Sequence, residues 1–152
     1  PYQDAHGGDD MLYDQIKTLY EHFRLEHYRE LFGRIREKDG SLSATEAYSA
    51  DVIYLLGDPT VSTFAEVLGI SQPNATYKIN NLASKGYAVR TVSDEDRRET
   101  RVSVGERFYS YYDTDYPFIA EGIEAIKGKY TPEQLALFEQ MLSDLNRSLK
   151  KF

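Results

Sequence analysis

At 152 residues, with 41% hydrophobic and 28% charged side chains, the chain has the length and apolar content of one compact globular domain and not of a disordered one. It has no cysteine, which excludes disulfides, zinc–thiolate sites and thiol redox chemistry and fits a reducing, cytoplasmic setting. A net charge of −7 works against nucleic-acid binding, because neutralisation of phosphates by Lys and Arg supplies most of that affinity.

The opening PYQDAHGG carries neither a basic nor an apolar region, so residues 1–9 read as a loose tail rather than a signal peptide. From about Asp10 to Glu37, Leu12, Ile16, Leu19 and Phe23 fall at spacings of four, three and four, with Leu31 and Ile35 later. That places them on one face of a long amphipathic helix, which Lys38-Asp39-Gly40-Ser41 ends. Ser43 with Glu46 three residues on is a capping-box signature for a helix running to about Leu56 and closing at Gly57-Asp58-Pro59. Thr60-Val61 reads as a connector, and Ser62–Leu68 as a brief helix with Gly69 as its left-handed stop.

Ser71 caps the next helix, and Pro73 sits in its first turn, where a missing N–H costs nothing. Ala75, Ile79 and Leu82 face inward, and Gly86 ends the helix. Counting 100° per residue from Ala75 turns Asn74, Tyr77, Lys78 and Asn81 away from the core. Two short strands follow, YAVRTV and ETRVSV, joined by the charged turn SDEDRR. From Glu106 to Tyr130 the pattern is again helical, with Pro117 placed to kink or restart it. Thr131-Pro132-Glu133-Gln134 then opens a last helix, in which Leu135, Phe138, Leu142, Leu145 and Leu149 alternate spacings of three and four. That narrow seam fits either an intramolecular core stripe or a partner helix, and its place at the end of the chain favours the partner.

A polar surface helix followed by a charged hairpin is the layout of a winged helix. Ala65, four residues before Gly69, adds the small residue and tight turn on which helix-turn-helix packing depends. The charge distribution softens the objection from net charge. Thr60–Val104 holds six bases and five acids, a net of +1, which leaves −8 on the remainder.

The words FAEVLGISQPNATYKINNLASKGYAVR and SDEDRRETRVSV resemble the MarR family of transcriptional regulators, with Asp96, Arg97 and Arg98 on that family's wing motif. The match is close over residues 42–112, and the flanking long helices agree in kind only. The resemblance implies a homodimeric winged helix-turn-helix repressor on a pseudo-palindromic operator in double-stranded DNA, commonly released by a small molecule. It also implies a recognition helix starting at Ser71. Gln72, Asn74, Tyr77, Lys78 and Asn81 would then face the major groove, with Asn and Gln reading bases, Lys78 and Ser71 holding phosphates, and Tyr77 on a phosphate too unless it is partly buried. For Asn80, Asn81 and Ser84 a solvated polar residue without a task is an equal reading. In the wing, Arg98 is expected in the minor groove, with Arg97 on the backbone or sharing that task. Asp96 would brace the loop by pairing with Arg98 or Arg90.

Leu12, Ile16 and the Leu135–Leu149 seam would form the dimer interface. Tyr20, Phe23, Tyr48, Tyr54, Tyr109 and Tyr112 lie on elements that meet, in this family, between the DNA lobe and the dimer helices, and suit a small aromatic effector. The chain departs from the family pattern twice. Val104-Gly105-Glu106 replaces the usual threonine-capped start, so that helix is expected to begin late or fray, and Pro117 interrupts the helix that follows.

These readings give a mainly α chain with a small β-hairpin wing. A winged helix-turn-helix lobe at residues 41–105 is flanked by a dimerisation helix at 10–40 and C-terminal dimerisation helices at 106–152. No phosphate loop, nucleophile elbow or His-Glu-x-x-His motif is present, so an enzyme is not expected. His22 and His27 are five apart and miss the spacing of a helical metal pair, so no metal and no cofactor are expected. The rival reading is a winged helix used for protein–protein contact, which the negative charge favours.

Overall fold

A computed structural model describes residues 11–37, 42–96, 98–112, 114–149 and 151–152, and the side chains of residues 34–37 fall outside that description. The expected tail, the helix stop at residues 38–41, Ile35 on the first helix's apolar face, and Arg97 therefore lie outside it. The chain divides into two compact units between Ala44 and Thr45. The first contributes one helix, α1 (Met11–Glu37), with an Arg29–Glu26 ion pair of 3.0 Å on its surface.

The second unit opens with α2 (Ala44–Leu56), α3 (Val61–Leu68) and α4 (Gln72–Ser84). The hairpin β1 (Ala88–Val92) and β2 (Thr100–Val104) follows, then α5 (Glu106–Tyr111), α6 (Pro117–Lys127) and α7 (Pro132–Ser148). Helix α3 starts one residue earlier than its sequence suggests. Thr60 is no mere connector: its hydroxyl accepts the Thr63 N–H at 3.1 Å, and its backbone forms a β-bridge with Arg101. Gly69 takes the left-handed conformation (φ 64°, ψ 36°) that a side chain would strain, and its turn aims α4 back across α3. Ser71 caps α4 by accepting the Asn74 N–H, with Pro73 in the first turn.

Phe64 and Ala65 of α3, Ala75, Ile79 and Leu82 of α4, and Ala47, Ala50 and Ile53 of α2 make the core, which Val102 closes from the hairpin. Each large apolar side chain buried there stabilises by about 1.5–3 kcal/mol. The antiparallel register sets Ala88 opposite Val104, Arg90 opposite Val102, and Val92 opposite Thr100.

Helix α5 begins directly after β2, at Glu106, and not later as its uncapped start suggests. Gly105 serves another need. A Cβ there would stand 2.3 Å from the Gly86 carbonyl oxygen, while the Gly105 N–H donates to Tyr87 O at 2.9 Å. Only glycine lets the end of the hairpin lie against the end of α4. Phe108 anchors α5 to α2, stacked between Tyr54 (5.1 Å) and Tyr112 (4.5 Å). Pro117 restarts the helix rather than kinking it. Helix ends at Tyr111 and resumes at Pro117 as the first residue of α6, which stops at Lys127, short of the expected Tyr130. The turn into α7 carries the full capping box, with Gln134 N–H donating to Thr131 Oγ1 (3.2 Å) and Thr131 N–H to Gln134 Oε1 (2.9 Å).

No described residue of α6 or α7 is buried. Their facing sides form an apolar groove lined by Ile123, Ile126, Leu135, Phe138 and Leu142. Leu149, expected as the last rung of the seam, lies past the helix as its C-cap in extended conformation.

Candidate nucleic-acid interface

Three local structures converge on one polar cleft: the first turn of α3, the first turn of α4 and the hairpin. Thr60, Ser62, Gln72, Thr76, Arg90, Asp96, Arg98 and Thr100 are among the residues lining it. Gln72 Nε2 donates to Ser62 Oγ, so the two helix starts are joined through their side chains. Unpaired N–H groups at helix starts favour anions, and two such starts share this cleft. Ser62, Thr76 and Thr100 are participants that sequence reasoning did not single out. The signal was their placement, Ser62 in the first turn of α3, Thr76 one turn into α4 and Thr100 at the start of the second strand, which becomes informative only once these elements pack together.

Along α4 the outer face is led by Tyr77, which is 68% exposed, with Asn80 and Ser84 exposed beside it. Ser71, Gln72 and Asn74 are exposed at the helix start. Lys78 and Asn81, expected to turn away from the core, are half-buried. The helical count explains Lys78: three steps of 100° from Ala75 bring it about 60° from the core direction, not opposite to it.

In the wing, Arg98 is exposed and makes no ion pair among the described residues. Asp96 braces the turn differently from expectation. Its Oδ1 accepts the Arg98 backbone N–H at 2.9 Å, not a guanidinium, and its own N–H donates to Ser93 Oγ at 3.3 Å. The short carboxylate folds back on its own turn, a lower-entropy partner than a distant arginine. Arg90 goes elsewhere, donating to Asn80 Oδ1 at 2.7 Å. Arg101 is committed as well, to Glu99 at 3.2 Å and to the Asp58 carbonyl at 3.1 Å. Among the described residues of the tip, Arg98 is therefore the cation left without an ion pair, at a turn held by Asp96.

The tyrosines expected to line an effector pocket have several fates. Tyr54 and Tyr112 sandwich Phe108, and the Tyr112 hydroxyl donates to Ala47 O, so both rings serve the α2–α5 contact. Tyr48 and Tyr109 are exposed on that unit, while Tyr20 and Phe23 belong to α1 in the other.

Residues 42–99 match the model of the MarR family, a span that takes in α2 through the wing turn. The chain is 22% identical over 111 residues to the HTH-type transcriptional regulator MhqR of Bacillus subtilis, covering 73% of this chain and 77% of that protein. Its fold is similar to that of a mutant MepR from a multidrug-resistant S. aureus clinical isolate, with a TM-score of 0.59 and 14% identity over 89% of this chain and 97% of that one. It is also similar to Streptococcus pneumoniae FabT, solved in complex with DNA, with a TM-score of 0.50 and 22% identity over 89% and 95% of the two chains. A helix-turn-helix with a hairpin wing, matched by the family model from α2 to the wing turn, is what makes this chain similar to the MarR family over residues 42–99.

Proposed function

We propose that the protein is a homodimeric, sequence-specific DNA-binding repressor, released from its operator by a small aromatic molecule. The observation that carries the DNA-binding part is the shared cleft: Gln72 at the start of α4 and Arg98, which has no ion pair among the described residues, line the same cleft. Gln72, Asn74 and Asn81 are the residues offered to the major groove, Ser71, Tyr77 and Lys78 to phosphates, and Arg98 to the minor groove. Ser71 Oγ accepts the cap hydrogen bond, so its hydroxyl hydrogen is available to a phosphate oxygen.

The uncovered apolar groove of α6 and α7 supports the dimer, with Leu135, Phe138, Leu142 and Leu145 as its contacts and Leu12 and Ile16 of α1 joining them. Two copies would hold their recognition helices about one DNA turn (roughly 34 Å) apart and read a pseudo-palindrome. Residues 41–105 then serve as the DNA lobe, and 10–40 and 106–152 as the dimerisation helices. The effector follows from family likeness and from exposed Tyr48 and Tyr109. A thermal-shift panel of aromatic acids tests it, with a shift accompanied by loss of DNA affinity expected and a flat panel counting against it.

A second reading is a winged helix that binds protein, which Asp94, Glu95 and Asp96 beside Arg98 favour. Salt separates the two. A DNA complex of this kind weakens steeply as salt rises, and an apolar protein contact does not.

A further inference from the structure

The two strands of the wing are anchored to the rest of the fold in different ways. On β2 the Val102 N–H donates to Pro59 O at 2.9 Å, Arg101 bridges Thr60, and the Arg101 guanidinium holds the Asp58 carbonyl at 3.1 Å. That strand is fixed to the α2–α3 connection. On β1, the side-chain hydrogen bond to the recognition helix among the described residues is Arg90 Nη1 to Asn80 Oδ1, at 2.7 Å.

Strand alternation explains its place. Ala88, Arg90 and Val92 share one face of β1, and Arg90 lies opposite Val102, so the two point to the same side. Ala88 and Val102 are buried on that side. Arg90 thus leaves the core-facing side at the rim of the core, and its stem carries the guanidinium across to α4. Asn80 follows the buried Ile79 and stands exposed beside Tyr77, on the face offered to DNA. Beyond this point the hairpin runs out to Arg98 with no further side-chain hydrogen bond to α4 among the described residues.

We propose that Asn80 and Arg90 are a positioning pair for DNA recognition, fixing the angle of the wing against the recognition helix so that Arg98 and α4 meet the same duplex together. The proposal rests on the DNA-binding reading above. Asn80 acts through its carbonyl oxygen on Arg90, and not as a reader of bases. Because both residues are exposed, the bond adds little to folding stability, and its loss is read in DNA binding.

The test is a set of anisotropy titrations on a duplex selected from random sequence. It compares wild type with Asn80→Ala, Arg90→Ala, Arg98→Ala, and the doubles Asn80→Ala/Arg90→Ala and Asn80→Ala/Arg98→Ala, each with a Tm. Asn80→Ala removes no charge, yet it is expected to weaken binding about five- to tenfold at unchanged Tm and unchanged salt slope. Adding it to Arg90→Ala should cost nothing more, and Arg98→Ala should cost less in its presence than alone. Wild-type affinity for Asn80→Ala overturns the proposal. So does additivity of Asn80→Ala with Arg90→Ala, the mark of two independent DNA contacts. Failure of the folded wild type to select any duplex overturns the DNA-binding reading itself and this proposal with it.

Discussion

At Gly105 the backbone of the hairpin meets the backbone that ends α4, and the 2.3 Å separation a Cβ would have from Gly86 O leaves no room to adjust. Gly105→Ala is therefore predicted to destabilise by about 2–3 kcal/mol, read from denaturant unfolding. In the sequence this glycine looks like a missing helix cap. Its reason is a tertiary approach between segments nearly twenty residues apart, which no local spacing displays. Arg98 is the opposite case, legible from its position in the turn alone. Its backbone is held by Asp96, so Arg98→Ala should leave Tm unchanged while weakening operator binding about tenfold and lowering the salt slope by about one. The role given to Asp96 was legible in kind but not in partner. A carboxylate two residues before a backbone N–H finds it by turn geometry, and composition does not rank that above a nearby arginine.

The helix-turn-helix was the most legible element because its signals are local and redundant: a cap at Ser71, an early Pro73, an inward stripe at Ala75, Ile79 and Leu82, and a glycine at each end. Helix α5 was less so. Phe108 reads in the sequence as one apolar residue among several, whereas it is 1% exposed and clasped between Tyr54 and Tyr112 from two elements. Phe108→Ala is predicted to cost about 3–5 kcal/mol, measured by denaturant unfolding, because it opens a cavity and unstacks both rings. The effector-pocket expectation treats Tyr54 and Tyr112 as lining for a ligand. Aromatic residues on adjacent elements fill one another's faces first, and a single sequence does not distinguish that from an open site.

Across the whole molecule, charge and apolar surface set the terms. The excess of acid lies away from the Thr60–Val104 segment, which is +1, so under the proposed function shape and pairing of two copies would carry more of the affinity than bulk attraction. The groove between α6 and α7 is where that pairing is expected. Leu142→Glu should give a folded monomer by sedimentation velocity and weaken palindrome binding about a hundredfold, as two-site attachment falls to one. The central claim, that this is a sequence-specific DNA-binding regulator, is tested most directly by fluorescence anisotropy at two salt concentrations. The duplexes are the DNA upstream of the protein's own gene, a scrambled control and, should neither be preferred, a duplex selected from random sequence. Tight, salt-sensitive binding to one specific duplex and weak binding to the scramble is the expected result. Folded, dimeric protein that prefers no duplex at either salt concentration would contradict it.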